Sequence, residues 1–175
     1  MSTSAPGTRR AAAVLVPFVR DEVGAWRMVI VRRAPGGIHG GQLAFAGGRR
    51  EVDDATLLDA ALREAHEEIG LERTHVRVLA ELPGVDVIAS AHHITPFLGV
   101  VTRPHEWRVD AAEIAEVLTP ALADLLAPGA RDHAHDLWPA QDPRLRLPFY
   151  RVGPHRLWGA SERILHPLLE RIRAG

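Results

Sequence analysis

The chain has 175 residues, 46% of them hydrophobic and 25% charged, with a net charge of -1. That length suits one domain with a single sizeable core, and the near-neutral balance provides no general surface for nucleic acid. The absence of cysteine excludes disulfides, thiolate metal sites and cysteine nucleophiles. All 21 basic residues are arginine, so any cationic phosphate contact must use the forked guanidinium.

Residues 1–10 are small and polar and read as a flexible N-terminus, with one domain over 11–175. The valine-rich run Ala11 to Val19 predicts a buried strand. Asp21 to Ala25 reads as a turn and Trp26 to Arg32 as a second strand, so the two predict a hairpin. Ala34 to Gly41 (APGGIHGG) is a loop, Gln42 to Phe45 a short strand, and Gly47-Gly48 is expected to break it.

The clearest helix is Thr56 to Ile69. Leu57, Leu58, Ala61, Leu62, Ala65 and Ile69 recur at helical spacing, Asp53, Asp54 and Thr56 are candidate N-caps, and Gly70 is a natural stop. Val76 to Leu82 and Ile94 to Val101 predict strands separated by a loop containing Pro83-Gly84. Ala111 to Leu118 fits strand or turn, Pro120 to Leu126 a short helix, and Asp132 to Asp142 is polar and reads as irregular. Leu147 to Val152 and His155 to Trp158 alternate like a hairpin, and Ser161 to Ile172 is an amphipathic helix. The sum is an α/β chain, a mixed sheet with two main helices. MSTSAPGTRR has no apolar core and so is not expected to act as a signal peptide. No apolar run reaches the roughly 18 residues of a membrane span. A cytoplasmic protein without membrane partners is the expectation.

The chemistry concentrates between Gly47 and Leu71. Glu64 lies three and four residues before Glu67 and Glu68, so the three carboxylates share a helix face. They crowd the C-terminal end, where the helix dipole is also negative. A solvated acidic face is the ordinary explanation of E-x-x-E-E. Here, however, two glycines and an acidic loop precede the helix, Arg63 adjoins Glu64, and Gly70 ends it. A hard divalent cation would turn the repulsion into attraction, and Mg²⁺ or Mn²⁺ suits oxygen ligands.

The segment Arg63-Glu64-Ala65-His66-Glu67-Glu68-Ile69-Gly70-Leu71 resembles the second half of the Nudix box, G-x5-E-x7-R-E-U-x-E-E-x-G-U, where U is aliphatic. Gly48 matches its opening glycine. Asp54 stands where the box has glutamate, and one extra residue separates it from Arg63. The resemblance implies a Nudix-type α/β/α sandwich with a mixed sheet between helices. It also implies a divalent metal, Mg²⁺ or Mn²⁺. Glu64 and Glu68 resemble the main metal ligands or base, Glu67 a further ligand or supporting carboxylate, and the Gly48 carbonyl a backbone ligand. Arg63 resembles the arginine that orients the glutamates. A further carboxylate from outside the box has Glu113 and Glu116 as candidates, so the implied catalytic set is Arg63, Glu64, Glu67 and Glu113.

Upstream, His39, Gly41, Gln42, Phe45, Gly47 and Gly48 are similar to the pattern preceding the box in the coenzyme A pyrophosphatase branch. Leu82-Pro83, Thr95-Pro96, Glu113, Pro120 and Trp158-Gly159 follow in that branch's order. Ala46 replaces the usual proline, Gly36-Gly37 replace leucine and arginine, and Ala160-Ser161 replace a hydrophobic residue and threonine. This resemblance implies hydrolysis of coenzyme A or a relative to 3′,5′-ADP and 4′-phosphopantetheine. Arg32, Arg33, His39, Gln42, Phe45 and Arg49 are then the substrate-binding candidates, with Arg50 beside them. A small nucleotide diphosphate is the implied partner, and a homodimer is an assembly the resemblance allows. The alternatives are hydrolysis of another nucleoside diphosphate derivative, such as ADP-ribose, NADH or a dinucleotide, and a non-catalytic nucleotide sensor.

Overall fold

The computed structural model describes residues 9–37, 39–87, 91–103, 106–137 and 145–175. Its centre is strand β1 (Arg10–Arg20), whose side chains are buried alternately on two faces. Along its whole length runs β8 (His92–Val101), parallel to it from Arg10↔His92 to Phe18↔Val100. The other edge of β1 is shared by β2 (Trp26–Met28) at one end and β5 (Gly47–Arg49) at the other, both antiparallel. β6 (Val76–Glu81) and β7 (Val85–Val87) pair antiparallel with β8. Two smaller sheets flank this one. One pairs β3 (Ile30–Arg33) with β4 (Leu43–Ala44) and β9 (Ile114–Leu118). The other pairs β10 (Arg131–Ala134), β11 (Leu147–Val152) and β12 (His155–Trp158).

Helices cover both faces. α1 (Leu57–Ile69) packs Ala60, Ala61, Leu62, Ala65 and Ile69 onto Ala13, Leu15, Phe97 and Val101. Its small side chains let the helix approach the strands closely. α3 (Ala160–Ala174) and the short α2 (Leu122–Leu126) cover the opposite face, with Ile164, Leu165, Leu168, Leu169 and Leu125 against Val16, Phe18, Met28 and Tyr150. This is the α/β/α sandwich with a mixed sheet that the motif implied. Among the described residues no helix is long and apolar enough to cross a membrane.

Several local expectations change. The N-terminal stretch 1–8 lies outside the described residues, whereas Arg10 already belongs to β1. The run from Trp26 to Arg32 is two strands, because the chain changes sheets at Val29, whose N–H bonds the Pro17 carbonyl. Gly47 and Gly48 do not break a strand but form one. Gly47 has φ 155, and a side chain there would collide with the backbone of Ala13 and Val14, so glycine is what lets β5 pair so tightly. Within 132–142, Asp132 to Ala134 are strand, and residues 138–142 lie outside the described residues. The loop at Pro83-Gly84 leads into the short strand β7, and Ala111 to Leu118 resolves into a turn followed by β9.

Candidate active site

The glutamate helix starts from a capping box. Thr56 Oγ1 accepts from the Asp59 N–H at 3.1 Å, and Asp59 Oδ2 accepts from the Thr56 N–H at 3.0 Å. It stops at Gly70, in the left-handed region at φ 68, where the N–H groups of Gly70 and Leu71 satisfy the carbonyls of His66 and Ala65. Both ends are thus fixed, and with them the direction in which residues 63, 64, 67 and 68 point.

Glu68 turns inward. It is 3% exposed, and its Oε2 accepts the Gly47 N–H at 3.0 Å. Burial pushes its carboxyl up to about 7. The Gly47 N–H and the Arg33 guanidinium oppose that rise, and the charges of Glu64 and Glu113 add to it. Glu64 lies one turn earlier, half-buried, against Gly48. A Cβ on Gly48 would overlap the Glu64 carboxylate, so only glycine allows the two to meet. Burial pushes Glu64 up as well, with Arg63 pulling it back and Glu67 and Glu113 pushing with the burial.

Arg63 sits at the hub. Its Nη1 donates to Glu64 Oε1 at 3.1 Å and to Glu67 Oε2 at 2.9 Å, and its Nη2 donates to the Arg49 carbonyl at 3.1 Å. It is gripped from behind by Asp54. Arg63 Nε meets Asp54 Oδ1 at 3.1 Å and Nη2 meets Oδ2 at 3.0 Å, the two-point fork of a guanidinium on a carboxylate. Asp54 is 5% exposed, takes a further bond from the Glu51 N–H at 2.8 Å, and is held below the usual carboxylate range chiefly by Arg63. Asp54 therefore acts through Arg63 on the glutamates, a function the extra loop residue had obscured.

The remaining candidates separate by face. Arg33 lies within electrostatic reach of Glu68, and so does Glu113, which is exposed and whose backbone carbonyl accepts the Ala34 N–H at 2.7 Å. Arg32 faces the other way. It pairs with Glu116 at 2.5 Å, and His155 approaches the same carboxylate at 3.5 Å. Glu116 is thus engaged away from the glutamates. Phe45 is 3% exposed and belongs to the core around Leu43, Tyr150 and Leu165, so its ring is a wall of the interior and not an open stacking platform. His39 Nδ1 and Gln42 Oε1 lie 3.2 Å apart in the exposed loop. Arg49 Nε donates to His92 Nε2 at 3.1 Å, and Arg50 binds the carbonyls of Asp54 and Ala55. Neither His92 nor the Gly47 N–H was among the sequence candidates. Each is brought in by strand register, which local spacing does not reveal.

Among the described residues no three carboxylate or imidazole groups converge into a ready-made metal cage. A small hard cation does not require one. Mg²⁺ is usually held by one or two carboxylates together with water and substrate phosphates. Glu64 and Glu68, both raised by burial and set against the Gly47-Gly48 backbone, fit that demand, since a cation would offset the burial that Arg63 and Arg33 oppose only in part.

The family profile described as the NUDIX domain matches residues 9–140. The chain belongs to the Nudix family. It is 34% identical over 162 residues to the Nudix hydrolase NudL of Enterobacter sp. (strain 638), covering 91% of this chain and 81% of that one. The NudL of Klebsiella pneumoniae is also 34% identical, over 168 residues, covering 95% and 84%. Both relatives are described as uncharacterized. Among solved structures, the Nudix hydrolase RenU of M. smegmatis aligns with a TM-score of 0.57 at 26% identity, covering 67% of this chain and 73% of that one. The Nudix domain of Shewanella oneidensis NrtR, crystallised with ADP-ribose, aligns with a TM-score of 0.58 at 14% identity, over 95% and 89%. That likeness speaks for the fold alone. The Nudix match, with its hydrolase relatives, makes this chain a Nudix hydrolase.

Proposed function

We propose that this Nudix hydrolase is a divalent-metal-dependent pyrophosphohydrolase that cleaves coenzyme A or a close derivative into 3′,5′-ADP and 4′-phosphopantetheine. The observation that carries the chemistry is the buried Glu68 carboxylate. It is held by one backbone N–H, lies in the field of Glu64 and Glu113, and is pushed up to about 7 chiefly by burial. Glu64, Glu67, Glu68 and the Gly48 carbonyl would hold Mg²⁺ or Mn²⁺. When bound there, such a metal would supply charge neutralisation for the diphosphate and acidify a water. Arg63, locked by Asp54, orients Glu64 and Glu67. Arg33 lies beside the glutamates, where its fork suits a phosphate oxygen. Glu113, exposed and within electrostatic reach of Glu64 and Glu68, would take the proton of the attacking water. The water oxygen bonds to phosphorus, the bridging P–O bond breaks, and the two halves leave as phosphate monoesters.

The substrate assignment is supported by the loop around His39, Gly41 and Gln42 leading into β5, and by a similarity that extends to Trp158-Gly159. Gly36-Gly37, which leave that loop without a cation, favour a second reading, a derivative such as ADP-ribose. Purified protein with Mg²⁺ or Mn²⁺ is expected to release 3′,5′-ADP from coenzyme A, and Glu68→Gln to lose that activity by orders of magnitude while remaining folded. Turnover of ADP-ribose or NADH but not coenzyme A would move the assignment to the second reading. No metal-dependent turnover of any diphosphate would leave a nucleotide sensor.

A further inference from the structure

The face of the main sheet opposite the glutamates carries a group of cations that the reaction does not use. β1 alternates, so Ala13 and Leu15 face α1 while Arg10, Ala12, Val14 and Val16 face the α3 side. Register carries the same sides across the sheet. Gly48 is opposite Ala13 and points toward Glu64, whereas Arg49 is opposite Ala12 and so lies on the α3 side. His92 is opposite Arg10 on the other flank of β1, again on that side. The Arg49 side chain spans β1 to reach His92, and its Nε donates to His92 Nε2 at 3.1 Å. The strand residue between them is Ala12, whose methyl group leaves room for the crossing.

Arg49 and Arg10 are both exposed, and among the described residues neither is in an ion pair with a carboxylate. Their sequence neighbours are used differently. Arg9 is paired to Asp86 at 2.7 Å, and Arg50 caps the carbonyls of Asp54 and Ala55. In the Arg9-Arg10 and Arg49-Arg50 pairs, one member serves the fold and the other is directed to this face. With Arg49 Nε on His92, both terminal nitrogens of the fork have no hydrogen-bond acceptor among the described residues. Two guanidinium groups beside an imidazole, with no carboxylate paired to them among the described residues, suit a phosphate dianion.

We propose that Arg10, Arg49 and His92 form a second phosphate subsite that reads a terminal phosphate monoester on the substrate's far end, with His92 fixing the Arg49 fork. This rests on the pyrophosphohydrolase reading above. β5 has only three residues and pairs, among the described strands, with β1 alone. No described strand covers its outer edge, where α1 side chains meet the backbone, Glu68 at the Gly47 N–H and Arg63 at the Arg49 carbonyl, and a ligand whose diphosphate lies among those groups at Gly48 can bend round the edge and present another phosphate to the Arg49 side chain, the next residue. A nucleotide bearing a 3′-phosphate has that shape, and one without it leaves the subsite empty.

The test compares coenzyme A with 3′-dephospho-coenzyme A as substrates, in wild type and in the Arg10→Met, Arg49→Met and His92→Asn variants. Wild type is expected to favour the 3′-phosphorylated substrate in kcat/KM by about tenfold or more, the scale of a charge-assisted fork on phosphate. Each arginine variant is expected to bring that ratio toward one, through KM. Calorimetry without metal gives an independent measure, with 3′,5′-ADP binding more tightly than AMP only while both arginines are present. If the variants leave the ratio and the binding difference unchanged while hydrolysis continues, the subsite is overturned and the pyrophosphohydrolase reading stands. If neither substrate is cleaved, the coenzyme A reading fails and takes this assignment with it. If inorganic phosphate binds in an Arg49-dependent way but 3′,5′-ADP and AMP bind equally, the site serves free phosphate and the substrate assignment is overturned.

Discussion

The two long helices each bury one glutamate, and the two are treated in opposite ways. Glu162 of α3 is 2% exposed and meets Arg131 Nε at 2.8 Å, a cation supplied by the protein itself from β10. Glu68 of α1 is 3% exposed and has the Gly47 N–H, with Arg33 acting only at a distance and two further carboxylates in its field. Burying a carboxylate is costly unless charge and hydrogen bonds compensate it. In α3 the compensation is complete and internal, as suits a structural pin. In α1 it is incomplete, and a divalent cation with its diphosphate ligand would complete it. The contrast separates a buried acid compensated within the fold from one whose compensation the proposed metal would complete, without reference to any motif.

Glu68→Gln breaks the comparison most sharply, because activity and stability should move in opposite directions. Hydrolysis is expected to fall by orders of magnitude. The metal-free variant should be more stable than wild type at pH 8. A carboxyl raised from 4.5 to about 7 favours the folded state only while protonated. Its contribution is therefore fully present below pH 4.5 and is lost as pH rises through 7, at roughly 3 kcal/mol for a shift of that size. Thermal melts of the metal-free proteins from pH 5 to 8 should show wild type losing stability relative to the variant. Mg²⁺ or Mn²⁺ should recover it for wild type alone. Parallel melting curves would remove the special status given to Glu68.

Arg131→Met makes the α3 glutamate resemble the α1 one. It leaves Glu162 buried without its cation, which is expected to cost about 3–5 kcal/mol. Denaturant titration should register that loss, while kcat per folded molecule stays near wild type because α3 lies across the sheet from the glutamates. A large drop in kcat with little loss of stability would contradict the division between the two faces.

How far the sequence exposed this division depends on the range of the interaction. α1 was legible almost to the residue, since caps, apolar spacing and the glutamate run all act within one or two turns. The hairpin Leu147 to Trp158 was legible for the same reason. What stayed hidden was set by register. Val29 ends one pairing and starts another inside a continuous apolar run, so the change of sheet leaves no local mark. β10 reads as irregular because its side chains are polar, yet Arg131 and Asp132 are engaged by Glu162 and Arg151 from other elements. Phe45 is a substrate-binding candidate by its motif and is core by its position. In the site, Glu64, Glu67, Glu68 and Arg63 come from one helix and were visible together, whereas the Gly47 N–H and the face of Arg49 follow from the pairing of β5 with β1.

Asp54→Ala tests the link between loop and helix. It removes the two-point grip on Arg63 and leaves the guanidinium with Glu64, Glu67 and the Arg49 carbonyl. A group that orients metal-binding side chains typically accounts for about 10–100-fold in activity or metal affinity, and a loss of that size is expected here. Stability should also change its acid dependence. Asp54 is held below its ordinary value of 3.8, so its contribution is present above that pH and is lost as pH falls through the lowered value. The variant should lack that part of the acid-induced loss. Wild-type activity in Asp54→Ala would show that Arg63 needs no support from the loop.

The smallest expected effect concerns how the two helices begin. α1 has a full capping box, and Asp59 within it is also bonded to Arg73 at 2.5 Å. α3 begins at Gly159, with φ 68 and no side-chain cap. Thr56→Ala should cost about 1 kcal/mol, the usual worth of such a cap, together with a small drop in kcat, because Glu64 lies only two turns beyond the frayed end. The reverse change, Gly159→Ser, places a capping side chain on a left-handed backbone that non-glycine residues avoid, and should destabilise α3 rather than strengthen it. Thermal melts of the two variants decide the matter. If Gly159→Ser gains what Thr56→Ala loses, α3 simply lacks a cap. If both lose, the Trp158-Gly159 corner is fixed by its backbone, and of these two helices only α1 relies on side chains to set its start.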